Sequence, residues 1–289
     1  MKRRHFLTAS TAITASSLLG DPSALLAAGK QKQPAFPISA CDWSINCRHK
    51  LDAFAFAKSL GLQGVEVSFG EPGVENDLRE EKVRAAYLAQ SQQTGVAISS
   101  LAMGILNQIP FSTDPRTGQW VADCIEVMPK VGVTNVLLAF FSKGDIKDAP
   151  ELQDKVIARL KRLTPKAEDA GVVLGIESWL DADDHIRILD AVDSPAVKVY
   201  YDVANMTQSG YDIYAEIPKL GRERICQFHM KENGFLLGEG KIDFPKLKKT
   251  INQIAYDQWI VIESAHPKGS DLGEAYRHNQ QYLRSLFPR

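Results

Sequence analysis

Four side chains with metal-binding chemistry recur at one kind of place in this chain. Glu177, Asp202, His229 and Glu263 each close a short apolar, β-branched run, reading VVLGIE, VKVYYD, ICQFH and WIVIE. A charge in such a run is costly unless it is paired or bound to a metal. Three carboxylates and one imidazole form a ligand set that suits one divalent ion, Mn2+ foremost, with Mg2+, Co2+ and Zn2+ as alternatives. An ion gripping two adjacent sugar oxygens polarises a carbonyl, and a nearby carboxylate removes the proton from the neighbouring carbon. Glu177 and Glu263 arrive from different runs, so one can take the proton and the other return it. That is epimerisation or aldose–ketose isomerisation through an enediolate. Taken singly, each acid has a structural explanation in a rim salt bridge, and His229 in packing. Their recurrence at the same point of four successive runs is what indicates a site.

The elements that must position these residues follow from the rest of the pattern. Eight near-continuous apolar runs lie at 38–45, 64–68, 97–103, 135–141, 172–178, 197–203, 225–231 and 259–264, as expected of strands buried on both faces. Helical patterns lie between them, among them 50–60, 77–93 and 150–170, closed by Gly61, Gly95 and Gly171 in the C-cap position. In the second of these, Leu78, Val83, Ala86 and Leu88 fall roughly on one stripe. The alternation predicts an α/β protein with a single (β/α)8 TIM barrel over 38–289, preceded by a linker at 29–37. The C-terminal strand ends of such a barrel share one rim, where catalytic groups project. Two long loops, 104–119 and 231–245, are expected on that rim. Gly234, Gly238 and Gly240 make the second a candidate mobile cover.

The chain has 289 residues, 44% hydrophobic and 24% charged, with a net charge of −1. No basic field argues for nucleic acid as a partner. Residues 1–28 read as an export signal: Lys2, Arg3 and Arg4 precede a mildly apolar segment, and small residues follow at 24–28. The Arg3-Arg4 pair followed by Phe6-Leu7 resembles a twin-arginine signal. That resemblance implies passage through the twin-arginine export machinery in the folded state and a periplasmic or otherwise exported location. Without residues 1–28, which hold Lys2, Arg3, Arg4 and Asp21, the net charge becomes −3. No remaining stretch is apolar enough to span a bilayer, so no stable membrane insertion is expected. Cys41, Cys47, Cys124 and Cys226 match no zinc spacing. Cys124 and Cys226 read as buried, and a Cys41–Cys47 disulfide is left open.

The succession GIES…YYDVAN…FHMKE…GEGKIDF…VIES resembles the xylose-isomerase-like TIM barrel superfamily of sugar phosphate isomerases and epimerases, over residues 38 to about 286. The resemblance implies that Glu177, Asp202, His229 and Glu263 bind one divalent ion. It also implies that the two glutamates are the acid/base pair, as in the ketose 3-epimerase branch. Two positions depart from that branch: Asn205 stands where it carries a sugar-binding His, and Phe235 where it carries an Arg. The endonuclease branch needs further histidines on earlier strands; here Glu66 and Met103 stand there, which argues against DNA repair. Lys231, Glu66, Asn205, Trp179 and His266 are candidate substrate contacts, with Trp43, Phe140 and Phe141 as further candidate walls. The expected partner is a small carbohydrate, unphosphorylated if the chain is exported. Homo-oligomerisation is left open. Two other readings share the same site: a 3-keto-glycoside lyase or hydratase, and a non-catalytic carbohydrate-binding barrel.

Overall fold

Each apolar run becomes a strand because both of its faces find cover. The computed structural model describes residues 36–288. The strands are β1 (Ile38–Cys41), β2 (Gly64–Ser68), β3 (Ala97–Met103), β4 (Asn135–Phe140), β5 (Val173–Ser178), β6 (Val197–Asp202), β7 (Ile225–Met230) and β8 (Ile260–Ile262). They pair in sequence order, and β1 pairs with β8, closing a barrel in which every pair is parallel. The helices are α1 (Asp52–Ser59), α2 (Glu81–Thr94), α3 (Arg116–Val127), α4 (Pro150–Asp169), α5 (Ala182–Val192), α6 (Val203–Gln208), α7 (Ile213–Arg224), α8 (Phe244–Gln253) and α9 (Leu272–Leu286). This is the predicted single-domain (β/α)8 barrel.

Strand side chains alternate between two cores. Leu174 and Ile176 of β5 and Phe228 of β7 belong to the large outer core between strands and helices. A smaller inner set, including Cys41, Ala102, Leu137, Ala139, Tyr200, Cys226 and Val261, fills the barrel. The same alternation sends Glu177 and His229 inward. Register then aligns the acids: Asp202 lies beside His229 across β6–β7, and Ala139 beside Glu177 across β4–β5. Glu263 follows β8 directly, and its N–H donates to the Met230 carbonyl at 3.1 Å.

Several boundaries differ from expectation. The first strand stops at Cys41, not residue 45, because the Asp42 carboxylate accepts from Ser68 N–H (2.8 Å), Ser68 Oγ (2.6 Å) and His49 N–H (3.3 Å), turning the chain. The last strand ends at Ile262, and Ser264 takes a positive φ of 48°. The second helix starts at Glu81, four residues late. Its inner face carries Val83 and Tyr87, while Leu88 is 41% exposed. The 104–119 segment is not one loop: a 3-10 turn covers Gly104–Asn107 and α3 begins at Arg116. The 231–245 loop, expected as a candidate mobile cover, is anchored by hydrogen bonds in this conformation. Glu232 accepts from the Lys241 and Ile242 N–H groups, and Leu237, buried, donates to Asn279 Oδ1 at 2.9 Å. All four cysteines are free thiols, so Cys41 and Cys47 do not form a disulfide.

Gly175 shows how tightly the barrel is filled. A Cβ there would lie 2.8 Å from Cys226 Sγ and 3.2 Å from Tyr200 Cβ. Gly175→Ala is therefore expected to cost about 1–3 kcal/mol through overpacking, read as a lower urea midpoint at unchanged slope. An unchanged midpoint would mean that the interior has slack.

Candidate metal centre

The four sequence-predicted ligands converge. One ligand atom from each of Glu177, Asp202, His229 and Glu263 lies within 4.8 Å of the others. His229 is fully buried. Its Nδ1 is 2.8 Å from Glu177 Oε1 and 3.6 Å from Glu263 Oε2. Asp202 caps α6: its Oδ1 accepts from the Ala204 and Asn205 N–H groups at 2.8 and 2.9 Å. That anchorage aims Oδ2, which is buried and has no hydrogen-bond partner, towards the site; Lys231 Nζ is 3.6 Å from it. An orphaned carboxylate oxygen beside two more carboxylates and an imidazole nitrogen fits a hard divalent cation. These residues would hold it with His229 Nδ1 as the nitrogen ligand.

The electrostatics separate the two glutamates. Burial raises Glu177 to about 7, although His229 pulls the other way. Burial would also raise Glu263, but Lys231 and His229 outweigh it and hold the group at about 2. Lys231 Nζ donates to Glu263 Oε2 at 2.9 Å and Trp43 Nε1 donates to Oε1 at 2.9 Å. Burial lowers His229, and Cys41 together with Glu177, Glu66 and Glu263 reverses that, raising it well above its ordinary value. Lys231 is likewise raised by Asp202 and Glu263 against its desolvation.

A polar cleft of ≈ 320 Å³ opens over this cluster. Of the expected substrate contacts, Lys231, Asn205 and Trp179 line it, with Trp43 and Phe141. Trp179 and Phe141 pack edge to face at 5.0 Å. Lys231 pairs with Glu263 rather than with Glu232. Glu66 does not line the cleft. It sits at the middle of β2, fully buried, with Oε1 2.9 Å from His229 Nε2. Phe140 faces away and packs on Phe111. His266 also stays out, because its Nδ1 lies 3.1 Å from the Pro267 carbonyl and 3.3 Å from Ser270 Oγ within its own turn. The cleft brings in Arg48, Ser68, Asn107, Gln208 and Asn233, which no sequence signal marked. Ser68 ends β2, Asn107 closes the 3-10 turn, Gln208 closes α6, and Arg48 and Asn233 lie in loops; Asn107 and Asn233 fall within the two long segments expected on the rim. The nearest available hint was the polarity of the segments after each strand.

A closed parallel barrel with acids and a histidine gathered at the C-terminal strand ends defines a class of rim-site TIM barrels. The chain belongs to the xylose isomerase-like TIM barrel family, whose model matches residues 54–286. It is 28% identical over 185 residues to the 2-epi-5-epi-valiolone 7-phosphate 2-epimerase of Actinoplanes sp., covering 62% of this chain and 67% of that protein. It is 27% identical over 160 residues to the 3-oxo-isoapionate decarboxylase of Pectobacterium atrosepticum, covering 47% of this chain and 58% of that one, so this second match spans little more than half of its relative. The fold is shared with the crystal structure of a 3-keto-D-glucoside 4-epimerase from E. coli, at a TM-score of 0.71 and 17% identity over 86% of this chain and 99% of that one. Sugar epimerases thus stand among both its sequence relatives and its structural neighbours.

Cation binding must displace protons from Glu177, held at about 7, and from His229 Nδ1. Affinity for added Mn2+ is therefore expected to rise about tenfold or more from pH 6 to pH 8, with proton release. Calorimetry in buffers of different ionisation enthalpy checks this. An affinity flat across that range would remove Glu177 and His229 from the ligand set.

Proposed function

We propose that this protein is a divalent-metal-dependent sugar isomerase or epimerase that moves the proton α to a carbonyl between Glu177 and Glu263. The observation that carries this reading is the convergence of Glu177, Asp202, His229 and Glu263 within 4.8 Å beneath a polar cleft, with Asp202 Oδ2 buried and without a hydrogen bond. A divalent cation, Mn2+ the first choice, supplies polarisation of the substrate carbonyl. Glu263 is held ionised by Lys231 and Trp43 and is ready to accept a proton. Glu177 gives up its own proton when it ligates the cation, so both glutamates start as bases; one takes the α proton and the other, once protonated, returns one. Lys231, 17% exposed and between Glu263 and the cleft, is placed to donate to a substrate oxygen. Asn205, Asn107 and Gln208 offer amides to hydroxyls. The epimerase names among its relatives support the reaction class.

The test is proton exchange. Metal-loaded protein, incubated in heavy water with a panel of unphosphorylated ketoses, aldoses and 3-keto-glycosides, is expected to place deuterium next to the carbonyl of one of them. Glu177→Gln and Glu263→Gln are each expected to lower that rate by about 10²-fold or more. Binding without exchange in the wild type would leave a carbohydrate-binding barrel.

A 3-keto-glycoside lyase or hydratase is the second reading, and one observation favours it. A second cavity of ≈ 350 Å³ adjoins the cleft, sharing Gln208 and Asn233 as a wall, and exposes Phe235. That is room for the leaving half of a glycoside. Release of the aglycone, rather than a rearranged sugar, would select this chemistry.

Export is the remaining part of the proposal. Its support is the Lys2–Arg4 and Phe6-Leu7 pattern, which lies outside the described residues. Among the described residues no helix is long and apolar enough to cross a membrane. Replacing Arg3 and Arg4 together by Lys is expected to leave the full-length chain uncleaved in the cytoplasm of a host with twin-arginine machinery. Continued export of that variant would point to a different route.

A further inference from the structure

Beneath the candidate metal centre lies a second set of polar side chains that the proposed chemistry does not use. Glu66, Ser100, Tyr200 and Gln227 come from four strands and are all essentially buried, in a region where TIM barrels ordinarily place branched apolar residues. Burying so many polar atoms is tolerated only when their hydrogen bonds are satisfied. Here they are satisfied in one direction only.

The direction starts from a backbone carbonyl, which can only accept. Asn135 Nδ2 donates to the Cys226 carbonyl at 3.4 Å, which fixes which end of that amide faces its neighbour. The same Nδ2 donates to Gln227 Oε1 at 3.1 Å. Gln227 must therefore turn its Nε2 the other way, where it donates to Ser100 Oγ and to Tyr200 OH, both at 2.9 Å. Each hydroxyl, already accepting from Gln227, sends its own hydrogen to Glu66 Oε2, at 2.6 Å from Ser100 and 2.5 Å from Tyr200. Glu66 thus acts as an acceptor. Its other oxygen, Oε1, lies 2.9 Å from His229 Nε2 and 3.6 Å from Cys41 Sγ, which is itself 3.4 Å from Nε2; with Glu66 as a carboxylate, Oε1 accepts and Nε2 supplies the hydrogen.

We infer that this relay makes Glu66 a positioning residue: when a cation displaces the Nδ1 proton, Glu66 keeps the other hydrogen of His229 on Nε2, so that Nδ1 is the nitrogen that ligates. The inference rests on the cation-binding reading of the site. It deepens that reading by naming what orients the single nitrogen ligand. A metal-ligating histidine commonly donates its far N–H to a carboxylate, and loss of such a partner lowers metal affinity about 10–100-fold.

The experiment compares three variants of the full chain, two at Glu66 itself and one at its donor Ser100. Glu66→Gln presents an amide that can donate to Nε2, drives the remaining hydrogen to Nδ1 and blocks the ligand position. Ser100→Ala removes a donor to Glu66 but leaves its Oε1 accepting from His229. Mn2+ titration followed by electron paramagnetic resonance is expected to show Glu66→Gln weakened about 10–100-fold, Ser100→Ala within about threefold of wild type, and Glu66→Asp recovering part of the loss. Imidazole 15N spectra of the metal-free proteins are expected to show a protonated Nε2 in the wild type and Ser100→Ala, and an unprotonated Nε2 in Glu66→Gln. A merely structural role would weaken the variants in step with their loss of melting temperature and leave the nitrogen signature unchanged.

Equal Mn2+ affinity in Glu66→Gln and wild type would overturn the inference, as would an unprotonated Nε2 in the wild type. So would a second equivalent of metal held by Cys41 Sγ, Glu66 and His229 Nε2, which also lie within 4.8 Å of one another. Absence of Mn2+ binding in the wild type sinks the cation reading instead, and the nitrogen spectra still judge the relay.

Discussion

An excess of buried negative charge sets the terms for the rest of this structure. Glu177, Asp202 and Glu263 stand at the barrel mouth and Glu66 stands below them, against one imidazole and one ammonium, His229 and Lys231. Four carboxylates in a space this small repel one another strongly when water is excluded. The fold answers with geometry. Asp202 is tied down by two backbone N–H groups, Glu263 by Trp43 and Lys231, and Glu66 by two hydroxyls and the histidine. What is left over is Asp202 Oδ2, without a hydrogen bond and 3.6 Å from Lys231 Nζ, beside the close pair of Glu177 and His229 Nδ1. A divalent cation is the species proposed to balance that charge.

Such a cluster needs a rigid frame, and the closed parallel barrel supplies one. Every strand is hydrogen-bonded on both sides, so no edge is free to relax. The outer core of large apolar residues between strands and helices provides the stabilisation. That leaves the barrel interior able to carry polar groups in place of packing residues. Gly175 is part of the same arrangement: its missing side chain leaves room for the Tyr200 ring, whose hydroxyl meets Glu66.

On the proposed reading, the cleft above the cluster takes a carbohydrate. Asn107, Asn205 and Gln208 line it together with Trp43, Phe141 and Trp179. Polar groups around flat apolar surfaces suit a molecule with hydroxyls on its rim and C–H groups on its faces. The two positions that depart from the ketose 3-epimerase pattern sit in different places. Asn205 lines the cleft itself, while Phe235 is 46% exposed in the adjoining cavity. Their effect would be on what the cleft accepts, since neither belongs to the ligand cluster.

The barrel and the four residues that cluster at its mouth were legible in the sequence because both depend on local rules. Parallel strands buried on both faces read as unbroken apolar runs, and a charged residue at the end of such a run stands out. Glu177, Asp202, His229 and Glu263 were therefore found together, and β2 and β3 to the residue. Strand ends set by side-chain turns were not, as Asp42 shows by closing β1 early. Glu66 was legible as unusual but was assigned to the cleft. Its true place depends on how deep it lies along β2, and on contacts with Ser100, Tyr200 and His229, 34 to 163 residues away. Arg48, Asn107 and Asn233 reach the cleft through loops whose paths no periodicity encodes. Sequence alone determined which residue types stand at the strand ends, since a two-residue alternation is a property of the chain. Tertiary structure alone decided which of them meet, because depth and loop path are fixed only when the barrel closes.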